Sequence, residues 1–376
     1  MWQWLMLFFA FLPIQASNWV QVCPGTGIQA RTNDFEGTGI ILTAWDRTSL
    51  WIYDINRNSR YPLPESAPCG SNCHLSPDGK WYTYLNTSAG AFSMMYIDGT
   101  SRQVIASYST EVSWWSAEWW LVWQVNGGAY LQNMETGNIQ PLNIGHVINL
   151  QPGGFWGIRI DRVGENFSRT LVNIEDATAE PIPIGIDLSY YNAAAWSNDG
   201  TWLATTVPIL STDDANTTDT TDTTDTTDHT TNYTTEIFGI NPQNGTITQW
   251  TNLNQHYGIV RVNGLTPGEL SWSPDNRYLA FWVIPQATSQ AQIHIYDTQT
   301  GDTRVYCDFA TANHTPNPPH LTWSPDSRFV AFSDDHPETG QVLLLAMNVE
   351  SGVFTQLSAD VASVFGRPDV YAWGIP

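Results

Sequence analysis

Lysine is all but missing from this chain. Lys80 is the only one, and Lys and Arg together number 14 against 36 Asp and Glu, for a formal net charge of -22. The acids are not in excess for 376 residues; it is the bases that are short. Such a field repels nucleic-acid phosphates and anionic headgroups, so neither nucleic acid nor an acidic membrane surface is expected as a partner. Cysteine is scarce as well, with four residues at Cys23, Cys69, Cys73 and Cys307. In an oxidising compartment an even count favours disulfides, and four cysteines allow three pairings. Cys69-Gly-Ser-Asn-Cys73 has the spacing of a small local ring, which leaves Cys23 to pair with Cys307. A zinc site from Cys69, Cys73 and His74 is the alternative. No Gly-x-Ser-x-Gly nucleophile motif occurs, and no other catalytic motif stands out. Long apolar runs are missing too. The nearest is Trp2–Ile14, too short to span a bilayer comfortably. It reads as a secretory signal over residues 1–16, though no base precedes it, and nothing after it reads as transmembrane.

What is abundant is tryptophan, with 19 residues, and a stretch that recurs around it. Its clearest copies are Leu270-Ser-Trp-Ser-Pro-Asp-Asn-Arg-Tyr-Leu-Ala-Phe281 and Leu321-Thr-Trp-Ser-Pro-Asp-Ser-Arg-Phe-Val-Ala-Phe332. Each reads as strand, tight turn, strand. Proline presets φ for a type I turn, Asp can accept from backbone N–H groups, and the following residues favour a buried strand. A third strand (Gln292–Tyr296), a Gly-containing turn and a fourth (Thr303–Tyr306) complete one propeller blade. Seven such units are expected, with six as the alternative count if the degenerate fourth, around Val147–Pro183, is not separate. The first unit has three strands and no opening Trp strand. Asp369-Val-Tyr-Ala-Trp-Gly374 repeats that opening strand with nothing after it, so Val370–Trp373 is expected to complete blade one and close the ring. The reading is an all-β, seven-bladed propeller over 39–376, preceded by a coil-like extension over 17–38. Residues 211–234, with Thr-Thr-Asp four times over, have too little apolar surface to offset the entropy of ordering and are expected to be a disordered loop.

Ser76-Pro-Asp-Gly79, Ser197-Asn-Asp-Gly200, Ser273-Pro-Asp-Asn276 and Ser324-Pro-Asp-Ser327, with the later Ile295-Tyr-Asp297, resemble the WD40-like repeats of TolB-type β-propellers. The resemblance implies an exported or periplasmic propeller that works by binding. TolB-type proteins carry a small α/β domain ahead of the propeller, and similar propellers precede a hydrolase domain in dipeptidyl-peptidase-like enzymes. No room is expected here for the α/β domain, and no hydrolase domain is expected either.

Strand bookkeeping gives the candidate site a position. First-to-second and third-to-fourth turns share one face of a propeller; second-to-third turns and inter-blade connections share the other. All the long pieces fall on the second face, among them Thr251–Glu269, Asp308–His320, Asp334–Gly340 and Ala359–Pro368. Loops carry function on rigid scaffolds. The candidate ligand- or partner-binding residues there are His256, Tyr257, Arg261, His314, His320, Asp334, Asp335, His336 and Glu338. Asp334-Asp-His-Pro-Glu338 is the densest group of metal-capable side chains, but its spacing matches no known metal motif, so neither a metal nor a cofactor is expected. The functional expectation is a monomeric, non-catalytic binding scaffold of the cell envelope or extracellular space, engaging a protein or envelope component. The alternative is a propeller enzyme, glycosidase- or lactonase-like, using carboxylates or a channel-bound metal; carboxylates paired in the channel would favour it.

Overall fold

A computed structural model describes residues 18–68, 73–107, 110–124, 128–144, 147–164, 166–187, 193–210, 233–262, 270–314 and 317–376. The apolar start, Cys69 and most of the Thr/Asp-rich stretch lie outside the described residues. The rest forms seven separate sheets that follow one another along the chain as the blades of a propeller. Blade seven shows the pattern, with strands Thr322–Trp323, Phe329–Asp335, Val342–Asn348 and Phe354–Ala359 in simple antiparallel order. Its middle strands are buried nearly throughout because a neighbouring blade covers each face. Blade four, the weak repeat, is a full sheet of its own.

The ring closes as expected. Ala372–Gly374 pairs antiparallel with Ile40–Thr43, in the register Ile41 to Trp373, and becomes the innermost strand of blade one. Gly39 and Gly374 meet so closely here that a Cβ on Gly39 would stand 2.1 Å from the Gly374 carbonyl oxygen.

The repeated residues explain themselves in the structure. In each clean copy the serine hydroxyl bonds the aspartate, as in Ser324 Oγ to Asp326 Oδ1 at 2.7 Å, and also accepts the N–H that opens the next strand, Phe329 at 2.9 Å. The aspartate accepts a second N–H, that of Arg328, at 3.1 Å. The fourth turn position has positive φ, which Gly79 and Gly200 adopt freely and Asn276 tolerates. The turns are also bonded to one another across blades. Asn198 Nδ2 donates to the Ser273 carbonyl at 3.0 Å, and the Asp275 N–H donates to Ser327 Oγ at 3.2 Å.

The inner-strand tryptophans act between blades. Trp196, Trp272 and Trp323 donate their indole N–H to Asn149, Ala195 and Ser271 carbonyls of the preceding blade, at 2.8, 3.0 and 2.9 Å. Each such bond contributes about 1 kcal/mol beyond burial, which favours Trp over Phe at this position.

The extension differs from the expected coil. Trp19–Val22 pairs parallel with the outer strand of blade six (Asp302–Thr311), and Ile28–Ala30 pairs parallel with the outer strand of blade seven. Blade six so reaches six strands and blade seven five. Between these two strands, Cys23 is bonded to Cys307. Asp308 accepts from the N–H groups of Gly25, Thr26 and Gly27 at 2.8 to 3.3 Å, holding the crossing. Residues 18–30 are therefore a strap over the rims of two blades. Cys73 is also disulfide-bonded, which removes its thiolate from a zinc site.

Candidate functional site

Three chain segments meet on the long-loop face at blade seven. His314 belongs to the connection from blade six, Asp334 and Asp335 end the second strand of blade seven, and Gly366 lies in the segment that leads to the closing strand. His314 Nδ1 stands 3.2 Å from the Gly366 carbonyl oxygen. That bond requires a proton on Nδ1, and in the neutral ring Nε2 then carries the lone pair. His314 Nε2 lies 3.8 Å from Asp334 Oδ1 and 3.7 Å from Asp335 Oδ2. Asp334 is fully buried; its Oδ1 accepts the Asp335 N–H at 2.7 Å and its Oδ2 has no hydrogen-bond partner. Burial pushes the Asp334 carboxyl up to about 7, with the Asp335 charge acting in the same direction and the Asp335 N–H opposing. The Thr311 hydroxyl is close enough to oppose it too, without making a hydrogen bond of ordinary geometry.

His320 lies elsewhere on that face, at the mouth of the central channel. Arg367 makes a fork there: Nε binds Asp369 at 3.1 Å, Nη1 donates to the Pro318 carbonyl at 3.0 Å, and Nη2 donates to His320 Nε2 at 2.7 Å. Because Arg only donates, His320 Nε2 must be the acceptor. His74 faces it across the wall, and burial, then the neighbouring His320, push His74 down to about 4. The channel encloses about 490 Å³ between these groups and the Ser-Pro-Asp turns. Among the described residues lining it, Asp78 is the one carboxylate, already bonded to Ser76 at the opposite mouth. Paired carboxylates are thus not among the described lining of the channel.

The other sequence candidates have separate settings. His256 stacks on Trp19 of the strap at 3.7 Å between ring centroids, and Tyr257 meets the same indole edge-on at 5.5 Å. The Tyr257 hydroxyl also bonds His294 Nε2 at 3.1 Å. His256 and Tyr257 therefore pack the strap against blade six. His336 Nδ1 accepts the N–H of Glu338 at 3.1 Å and shapes its own hairpin, leaving Glu338 and, in blade six, Arg261 exposed. Of the nine candidates, His314, Asp334 and Asp335 are the ones brought together within 4.8 Å.

Arg367, Asp369 and the Gly366 carbonyl were not expected. The available signal was Arg367-Pro-Asp369, a charged pair that joins the end of Ala359–Pro368, read only for its length, to the first residue of the repeated opening strand.

A comparison with protein-family models finds no match, and one with curated proteins finds none. Among solved structures, the chain is similar to TolB from Acinetobacter baumannii, with 13% identity over 96% of this chain and 98% of that one, at a TM-score of 0.42. It is also similar to oligogalacturonate lyase from Vibrio parahaemolyticus, with 10% identity over 85% of each chain, at a TM-score of 0.49. At such distance the likeness is one of shape, and no activity transfers with it.

Proposed function

We propose that the protein is an exported, monomeric, non-catalytic binding scaffold of the cell envelope or extracellular space, which engages a protein or other envelope ligand through its long-loop face. The observation that carries this reading is the asymmetry of the ring. One face is a set of tight turns bonded to one another, as in Asn198 to Ser273 and Asp275 to Ser327. The other carries the long connections, with charged side chains such as Arg261 and Glu338 exposed on it. A rigid ring with one face of long loops suits recognition. The Cys23–Cys307 disulfide supports an oxidising compartment.

The test compares faces. Arg261→Glu with Glu338→Lys alters the long-loop face, and Glu135→Lys with Glu350→Lys alters exposed acids in the tight turns. Capture of a defined component from native envelope extract should drop about tenfold or more for the first pair and stay unchanged for the second. Equal capture by both, or loss confined to the second, refutes the reading.

A further inference from the structure

We propose that His314, Asp334 and Asp335 form a binding site for one divalent transition-metal cation of the zinc or manganese class. The proposal goes beyond the recognition role and does not depend on it.

Two buried atoms carry it. Asp334 is fully buried, and its Oδ2 has no hydrogen-bond partner. His314 Nε2 is buried and unpartnered as well. An acceptor left unsatisfied in the interior is costly, and here two such atoms belong to groups that face one another. They cannot satisfy each other as the structure stands. With the imidazole neutral, its proton is held on Nδ1 by Gly366, and with both carboxyls ionised, Nε2 and the carboxylate oxygens are all acceptors. A cation between them is the partner that both buried atoms lack, and Asp335 stands beside it as a third ligand.

The spacing agrees. Ligand atoms bound to one ion at about 2.0–2.2 Å stand roughly 3–4 Å apart. The His314 Nε2 distances of 3.8 and 3.7 Å to the two carboxylates are too long for hydrogen bonds and fall within that range. The Gly366 carbonyl acts as metal-site outer partners do, fixing both tautomer and ring orientation through the distal nitrogen. Charge agrees as well: two carboxylates and a neutral imidazole offset a dication. The side chains of His314 and Asp335 keep 16% and 26% of their exposure, so the ion can enter from solvent and complete its shell with water.

The donor set decides the class. An imidazole with two carboxylates suits zinc or manganese. Calcium and magnesium take oxygen ligands, and one of the three side chains here offers nitrogen.

The experiment uses the full exported chain, stripped with a chelator and titrated by calorimetry with zinc, manganese and calcium chlorides in turn. One zinc or manganese ion should bind per chain, with calcium much weaker. Asp335→Asn and His314→Gln, both at partly exposed side chains, should each weaken binding about tenfold or more, while His336→Gln leaves it unchanged. Cobalt supplies an independent readout: its visible absorption bands should appear with the parent protein and vanish with His314→Gln. Absence of stoichiometric zinc or manganese binding, binding that survives both variants, or a preference for calcium would each overturn the proposal.

Discussion

His294 is fully buried in blade six in a fixed tautomer, its Nδ1 on the Gln292 carbonyl at 3.1 Å and its Nε2 receiving the Tyr257 hydroxyl. Burial, with a smaller contribution from His256, pushes its pKa down from 6.5 to about 3, against the Gln292 bond. Between those values the unfolded chain binds a proton that the folded chain refuses. The resulting stability is full above 6.5 and is lost as pH falls toward 3, at about 1.4 kcal/mol per pH unit. Denaturant midpoints at pH 7 and pH 4.5 should therefore fall more steeply for the parent protein than for His294→Gln; parallel lines would show that His294 does not titrate this way. The sequence separated this histidine from His314 by element alone, His294 alternating within a strand and His314 lying in a long loop. Their roles are set by non-local partners, Tyr257 in one case and Asp334 with Gly366 in the other. The Asp334-Asp335 half of the candidate cation site was visible as a dense local cluster. Its third member was visible only as one of several residues assigned to the same face.

The strap is the element that sequence patterning misread. Trp19–Val22 and Ile28–Ala30 are too short to show a convincing period, and their partners lie 284 residues or more away in blade six and beyond. By contrast, the cysteine pairing was legible, because the close spacing of Cys69 and Cys73 left Cys23 for Cys307. That bond joins positions 284 residues apart, and in the chain-entropy view such a loop stabilises the fold on the order of 5 kcal/mol. The double variant Cys23→Ser with Cys307→Ser should lower the denaturant midpoint clearly and open residues 18–30 to limited proteolysis while the remaining ring stays resistant. Unchanged protection of the strap would mean that its hydrogen bonds, including those to Asp308, hold it alone.

At the scale of the whole molecule, the blade count and the closure were both legible, because each follows from a repeat: seven copies of a four-strand unit, and one opening strand displaced to the far end of the sequence. Removing residues 369–376 takes away Trp373, which is fully packed and donates its indole N–H to the Thr38 carbonyl at 2.8 Å. It also removes Asp369, the anchor of the Arg367 fork. The truncated protein should lose stability in a single cooperative transition, read by thermal melting; an unaltered melting curve would show that blade one stands without its inner strand. The strap has a further consequence in the order of synthesis. Residues 19–30 are made first, yet their partner strands, at 302–311 and 354–359, are made in the last fifth of the chain. Throughout that interval Cys23 has no native partner, while Cys69 and Cys73 are already present to compete for it. A folding catalyst that delays oxidation, or one that reshuffles early bonds, would thus raise the yield of native protein far more than it would for a propeller closed by its strands alone.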